Sequence, residues 1–261
     1  MEIMMNQPSR KVMRFTAWSA IIGGVLAYAN AGLSFAVTGP DADMVLHGAS
    51  MLALPPDTRE LFRWCMVADT LGFYLPFVVI GGYFVHAFQE ELGALASMVA
   101  MAVALYVMVG LTGAVMQFAT LHPLAHLYAG GDDATRNAAA AVWTAVANGT
   151  QNGLWWIEGP LVFFWTLIAA DVLKKAGWKG SFLLKIVGWA FAVFFLFGFF
   201  PDLEALSNYS EMVVVLVLPL WMLLFGGQLL RRARTLPNRF QGAGATNKAT
   251  LSRRLSTKDQ I

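Results

Sequence analysis

Charge is scarce in this chain. Charged residues make up 13% of 261, against roughly 25% in ordinary globular proteins. Cysteine is nearly absent: the single Cys65 excludes a disulfide framework and every cysteine-based zinc or iron–sulfur site. The sequence also lacks a GxSxG nucleophile elbow, a P-loop, a GxGxxG turn and a CxxCH haem site. No repeat is evident, and the two halves do not match in the placement of proline or glycine, which argues against an inverted-repeat transporter. What is present is apolar surface, with 57% hydrophobic residues and a mean hydropathy of +0.58. That composition excludes a disordered chain, a nucleic-acid-binding domain and an ordinary cytosolic enzyme.

A helix needs about 20 apolar residues to cross roughly 30 Å of hydrocarbon. Runs 15–37, 61–88, 92–120, 154–173 and 212–230 qualify directly. Run 182–200 qualifies once Lys185 snorkels to the interface. Lys185 has no carboxylate close to it in sequence, which argues against a Schiff-base role. Backbone amides in lipid must be satisfied within the segment, and no run shows barrel-strand alternation. The expected fold is therefore all-α, a polytopic transmembrane helical bundle of six spans. It comprises an N-terminal segment 1–14, a six-helix domain 15–230 and a basic, disordered tail 231–261. Residues 137–153 read either as an interfacial helix or as an extension of span four.

Basic residues set the orientation. Arg10, Lys11 and Arg14 precede span one, Lys174, Lys175 and Lys179 follow span four, and the tail from Arg231 to Lys258 is basic throughout. Arg59, Arg63 and Arg136 lie on the other face, with Asp41, Asp43, Asp57, Glu60, Asp132, Asp133, Asp202 and Glu204. Both termini are expected in the cytoplasm, in a bacterial inner membrane. Ala27-Tyr28-Ala29 resembles a signal-peptide cleavage site, but the apolar run continues to Val37, too long for such a peptide.

Small and polar residues recur on single helix faces: Ser19, Gly23, Ala27, Asn30 and Ser34 in span one, and Tyr106, Gly110, Gly113, Gln117 and Thr120 in span three. Such faces pack against other helices rather than lipid. Spans five and six are mostly Phe, Leu and Val and are expected to pack outside this group. Asp69 and Glu158 are different, because a carboxyl within an apolar run costs about 2.5–3.5 kcal/mol and needs water, a partner or a proton. With Asn30, Gln117, Asn148, Gln151 and Trp155 they fall at one depth in the outer half of the spans, predicting a ligand-binding polar pocket open to the outside and closed below by Phe, Trp and Leu. Trp155 and Trp156 beside Glu158 would add cation–π contact for a cationic ligand. The bland alternative is that each carboxyl hydrogen-bonds a neighbouring helix.

His122 and His126, spaced i, i+4 in HPLAH, share a face if the helix continues through Pro123. With His47 and an acid they would hold zinc or copper. Three functions follow as expectations: a membrane protein binding a small ligand or ion from the outer side, an accessory subunit docking a membrane-protein partner through spans five and six, and a metal-dependent hydrolase on these histidines.

The stretches ELFRWCMVADTLGFYLPFVVIGGYFVHAF and GLWWIEGPLVFFWTLIAADVLKKAGWKGSFLLKIVGWAFAVFF resemble the DUF4386-type bacterial membrane proteins. The shared features are a Phe-Arg pair entering a long apolar helix and a later helix ending in a short basic turn. The resemblance spans residues 15–201 and implies architecture and bacterial origin, not an activity.

Overall fold

The computed structural model describes residues 8–235, and every regular element among them is helical. In chain order these are α1 (Arg10–Thr38), a 3-10 turn (Ala42–Leu46), α2 (Gly48–Leu52), α3 (Pro56–Asp69), a π-helical turn (Thr70–Tyr74) and α4 (Leu75–Ala87). There follow α5 (Gln89–Leu92), α6 (Leu95–Gly130), α7 (Asp133–Gly149), a second π-helical turn (Thr150–Leu154), α8 (Glu158–Lys175), α9 (Ser181–Phe197), a short 3-10 turn (Pro201–Leu203) and α10 (Glu204–Thr235). Local chemistry sets the ends. The Ser9 hydroxyl accepts from the Val12 N–H at the start of α1, and Asp132 accepts from the Thr135 N–H at the start of α7. Gly177 and Gly180, at φ +70° and +80°, supply the left-handed positions that turn α8 into α9.

Five rods are long and apolar enough to cross a membrane: Arg10–Thr38, Pro56–Ala87, Leu95–Gly130, Asp133–Lys175 and Ala205–Thr235. The apolar helix Ser181–Phe197 is shorter, at 17 residues. α1 packs against α10 on one side and α3 and α4 on the other, α4 packs on α6, α6 on α8, α8 on α9, and α9 on α10. The rods thus close a ring. The expectation that the last two apolar runs lie outside the polar group fails for α10, which makes its main contact with α1 and seals the ring, whereas α9 packs chiefly on α8 and α10.

Several boundaries also differ from expectation. Of the two readings of residues 137–153, the extension of span four is the one found, since they continue helically into it. The helix that begins near residue 95 runs through Pro123 to Gly130, so His122 and His126 are helical. Arg231 to Thr235 belong to α10, and the expected disorder of 236–261 lies outside the described residues. Lys185 does more than snorkel, since its Nζ lies 2.6 Å from Asp171 Oδ1 on α8. α1 passes unbroken through Ala27-Tyr28-Ala29, with Ala27 fully buried.

Two hydrophobic cores are stacked along the ring axis. The larger gathers around Phe77, whose ring meets Tyr106, Trp165 and Trp221 at 5.6, 5.4 and 6.5 Å. It leaves a void of about 10 Å³ with apolar walls. The smaller core forms a cap from the end of α1, the first 3-10 turn, α2, α3, the C-terminal half of α6 and α7. Trp143 is its centre, fully buried, with its indole N–H donating to the Val45 carbonyl at 2.8 Å. Basic groups collect at the end away from the cap. Arg10 donates to the Arg234 carbonyl, and Arg232 donates to the Ala176 carbonyl while stacking 4.0 Å over Trp178.

Candidate functional site

A polar layer lies between the two cores. Counting about 1.5 Å of rise per residue from the basic end of each rod puts Asn30, Asp69 and Glu158 about 25–30 Å along, and Glu211 about 36 Å along, toward the cap. A hydrocarbon slab is about 30 Å thick, so the layer falls near its far edge, with the cap beyond.

Both buried acids flank breaks in helical regularity. Asp69 is the last residue of α3, immediately before the π-turn at Thr70–Tyr74, where the Leu75 N–H reaches back to the Thr70 carbonyl. Glu158 opens α8 after the second π-turn and a short turn, in which the Trp155 N–H bonds the Thr150 carbonyl and the Glu158 N–H bonds the Trp155 carbonyl. At membrane depth such irregular backbone is tolerated where protein buries it or where it lines a polar site. Here the breaks lie in the two rods that flank α6, and both π-turns pack on that helix.

Asp69 and Glu158 are 8% and 5% exposed. Asp69 Oδ2 and Glu158 Oε1 are buried without a hydrogen-bond partner. The Tyr74 hydroxyl, on the last residue of the first π-turn, faces the Glu158 carboxyl and lies within electrostatic reach of Asp69. Glu158 in turn feels the charges of Asp69 and Glu211. The charges acting on the two buried carboxyls are thus acidic; among the described residues neither Lys nor Arg is one of them. Glu211, on α10, is exposed and within electrostatic reach of Asp43 in the first 3-10 turn. A line of acids therefore runs from the cap surface, through Asp43 and Glu211, to Asp69 and Glu158.

The walls are aromatic. Tyr74 packs on Tyr106 with centroids 5.3 Å apart, and the Tyr106 hydroxyl donates to the Phe73 carbonyl at 2.8 Å. Gly110 exists to admit this pair, because a Cβ there would fall inside the Tyr74 ring. Gly113 likewise seats the Trp155 indole, which donates to the Gly110 carbonyl at 3.3 Å. Gln117 is fully buried, with its amide donating to Thr150 Oγ1 at 2.7 Å and its Oε1 unpartnered.

Not every expected site residue joins this group. Asn30 clasps α1 to α3, donating to the Cys65 carbonyl at 3.0 Å one turn before Asp69. Asn148 donates to the Thr144 carbonyl of its own helix and accepts from exposed Asn152, while Gln151 is half-buried on the second π-turn. Trp156 faces α9, stacked on Phe195 at 4.4 Å and donating to its carbonyl. The layer itself is covered by the cap, and Glu211 is its exposed member.

His122 and His126 are exposed on α6, and His122 Nε2 lies 4.0 Å from Glu60 Oε2. Exposed His47 sits between the 3-10 turn and α2. Among the described residues no group of three or more His, Cys, Asp or Glu is placed to hold a metal ion. Sequence reasoning missed Tyr74 and Glu211. The chain matches no family model, no curated protein and no solved structure.

Proposed function

We propose that this is a six-pass membrane protein with both termini in the cytoplasm, binding a small cation or cationic ligand at the acid layer from the outer side. The gathering of Arg10, Lys11, Arg14 and Arg234 at one end supports the orientation. The 17-residue α9 is at the short limit for a crossing and supplies the even number of passes that the orientation requires.

One observation carries the binding reading. Two buried carboxyls with unpartnered oxygens share Tyr74 and face only acidic charge. Acids so placed at membrane depth need a counter-charge, a proton or water. A bound cation answers that need, and the Tyr74, Tyr106 and Trp155 rings beside it favour an organic ammonium as well as a simple ion. Asp43 and Glu211 mark the approach by concentrating cations toward the layer.

The test is thermal unfolding of the detergent-purified protein with Na⁺, K⁺, Mg²⁺ or tetramethylammonium. At least one of them raises the Tm of the natural protein, and Asp69→Asn and Glu158→Gln each abolish the shift. Variants that respond as the natural protein does, or a natural protein unresponsive to all four, would count against the reading.

A further inference from the structure

The end of the ring opposite the acid layer holds a groove of about 800 Å³ between the start of α1 and the end of α10. Arg10, Lys11, Arg14 and Arg234 line it, with Trp18 and Leu230 forming its apolar wall. Lys11, Arg14 and Arg234 are exposed, and Trp18 is 51% exposed. The Arg10 guanidinium donates to the Arg234 carbonyl at 2.9 Å and holds the two helix ends together. Among the described residues, no acidic side chain lines the groove.

Two further basic groups at this end are committed elsewhere. Arg232 stacks on Trp178 and bonds the Ala176 carbonyl, and Lys185 pairs with Asp171. A general excess of positive charge sets topology without needing a concave shape or an apolar wall. This groove has both, at the level where a helix leaves the hydrocarbon.

We propose that the groove binds one anionic phospholipid of the adjoining leaflet. The phosphodiester sits among Lys11, Arg14 and Arg234, and an acyl chain runs along Trp18 and Leu230. Basic residues near an anionic surface attract such headgroups, and the apolar wall selects a lipid over a free anion.

The full chain in neutral detergent is titrated with dioleoyl phosphatidylglycerol, dioleoyl phosphatidylcholine and inorganic phosphate, with binding read by native mass spectrometry and Tm. Phosphatidylglycerol binds and raises Tm, and the other two do not. The double variant Lys11→Gln/Arg14→Gln weakens phosphatidylglycerol binding about 30-fold at low salt, as loss of two juxtamembrane cations implies. Lys174→Gln/Lys175→Gln removes equal charge outside the groove and leaves binding unchanged. Trp18→Ala keeps every cation, so it tests the site even where the charge variant inserts poorly; it weakens long-chain but not dihexanoyl phosphatidylglycerol. Equal stabilisation by inorganic phosphate, equal losses in both double variants, or an unchanged Trp18→Ala would overturn the proposal.

Discussion

Gln117 and Thr150 are both fully buried and joined by a 2.7 Å hydrogen bond, the amide of α6 donating to the hydroxyl at the start of the second π-turn. The Thr150 hydroxyl in turn donates to carbonyls of α7, at Ala147 and Val146. The bond ties the helix that carries Tyr106 to the segment that delivers Glu158.

Replacing Thr150 with Val keeps the shape and removes the acceptor, leaving the Gln117 amide unpaired. The expected loss is about 1–3 kcal/mol, the cost of a buried donor without a partner. Thr112→Val is the control. Its hydroxyl is exposed and bonds the Met108 carbonyl of its own helix, so the expected change is within about 0.5 kcal/mol. Denaturant titration in mixed micelles compares the two.

The sequence revealed Asp69 and Glu158 because an acid within an apolar run is costly wherever the helix faces. It concealed Tyr74 for a geometric reason. Five residues along a regular α-helix turn a side chain about 140° away. The π-turn between Asp69 and Tyr74 changes that angle, and no residue pattern announced it. Glu211 was hidden because it precedes the apolar run 212–230 and reads as an interfacial residue. The place of α10 in the ring was illegible too. Lipid is as apolar as Phe, Leu and Val, so such a helix shows no inward face in its hydropathy. Asp171 and Lys185 pair across α8 and α9, a distance of fourteen positions that no local spacing rule connects.

Gly110→Ala is expected to displace the Tyr74 ring and with it the hydroxyl beside Glu158. The cation-dependent Tm shift should fall or vanish. Gly149→Ala meets open space in α7 and should be neutral or stabilise by about 0.5–1 kcal/mol through helix propensity. Loss of the shift in Gly149→Ala, or its retention in Gly110→Ala, would count against this role for Tyr74.

Trp143 anchors the cap. Trp143→Ala removes a fully buried side chain and leaves the Val45 carbonyl without its donor, at a cost of about 3–5 kcal/mol. Limited proteolysis of right-side-out and inside-out vesicles reads the outcome. Cleavage in the segment between α1 and α2 should rise in the variant from one membrane side only, the side that carries the cap.

The Lys185–Asp171 pair is short but half-exposed, at 42% and 58%. A double-mutant cycle with Lys185→Gln and Asp171→Asn should give a coupling of about 0–1 kcal/mol, weakening with salt. The pair registers α8 against α9 without dominating their packing, which rests on contacts such as Phe163 on Trp189.

The central claim is that Asp69 and Glu158 answer to one bound cation. Infrared difference spectroscopy of the reconstituted protein, recorded as the stabilising cation is added and withdrawn, reads the two carboxyl groups themselves. The account predicts carboxyl bands from both residues in the natural protein, with Asp69→Asn removing its own band and shifting that of Glu158. A difference spectrum without carboxyl bands, or single variants that each delete one band and leave the other unmoved, would contradict it.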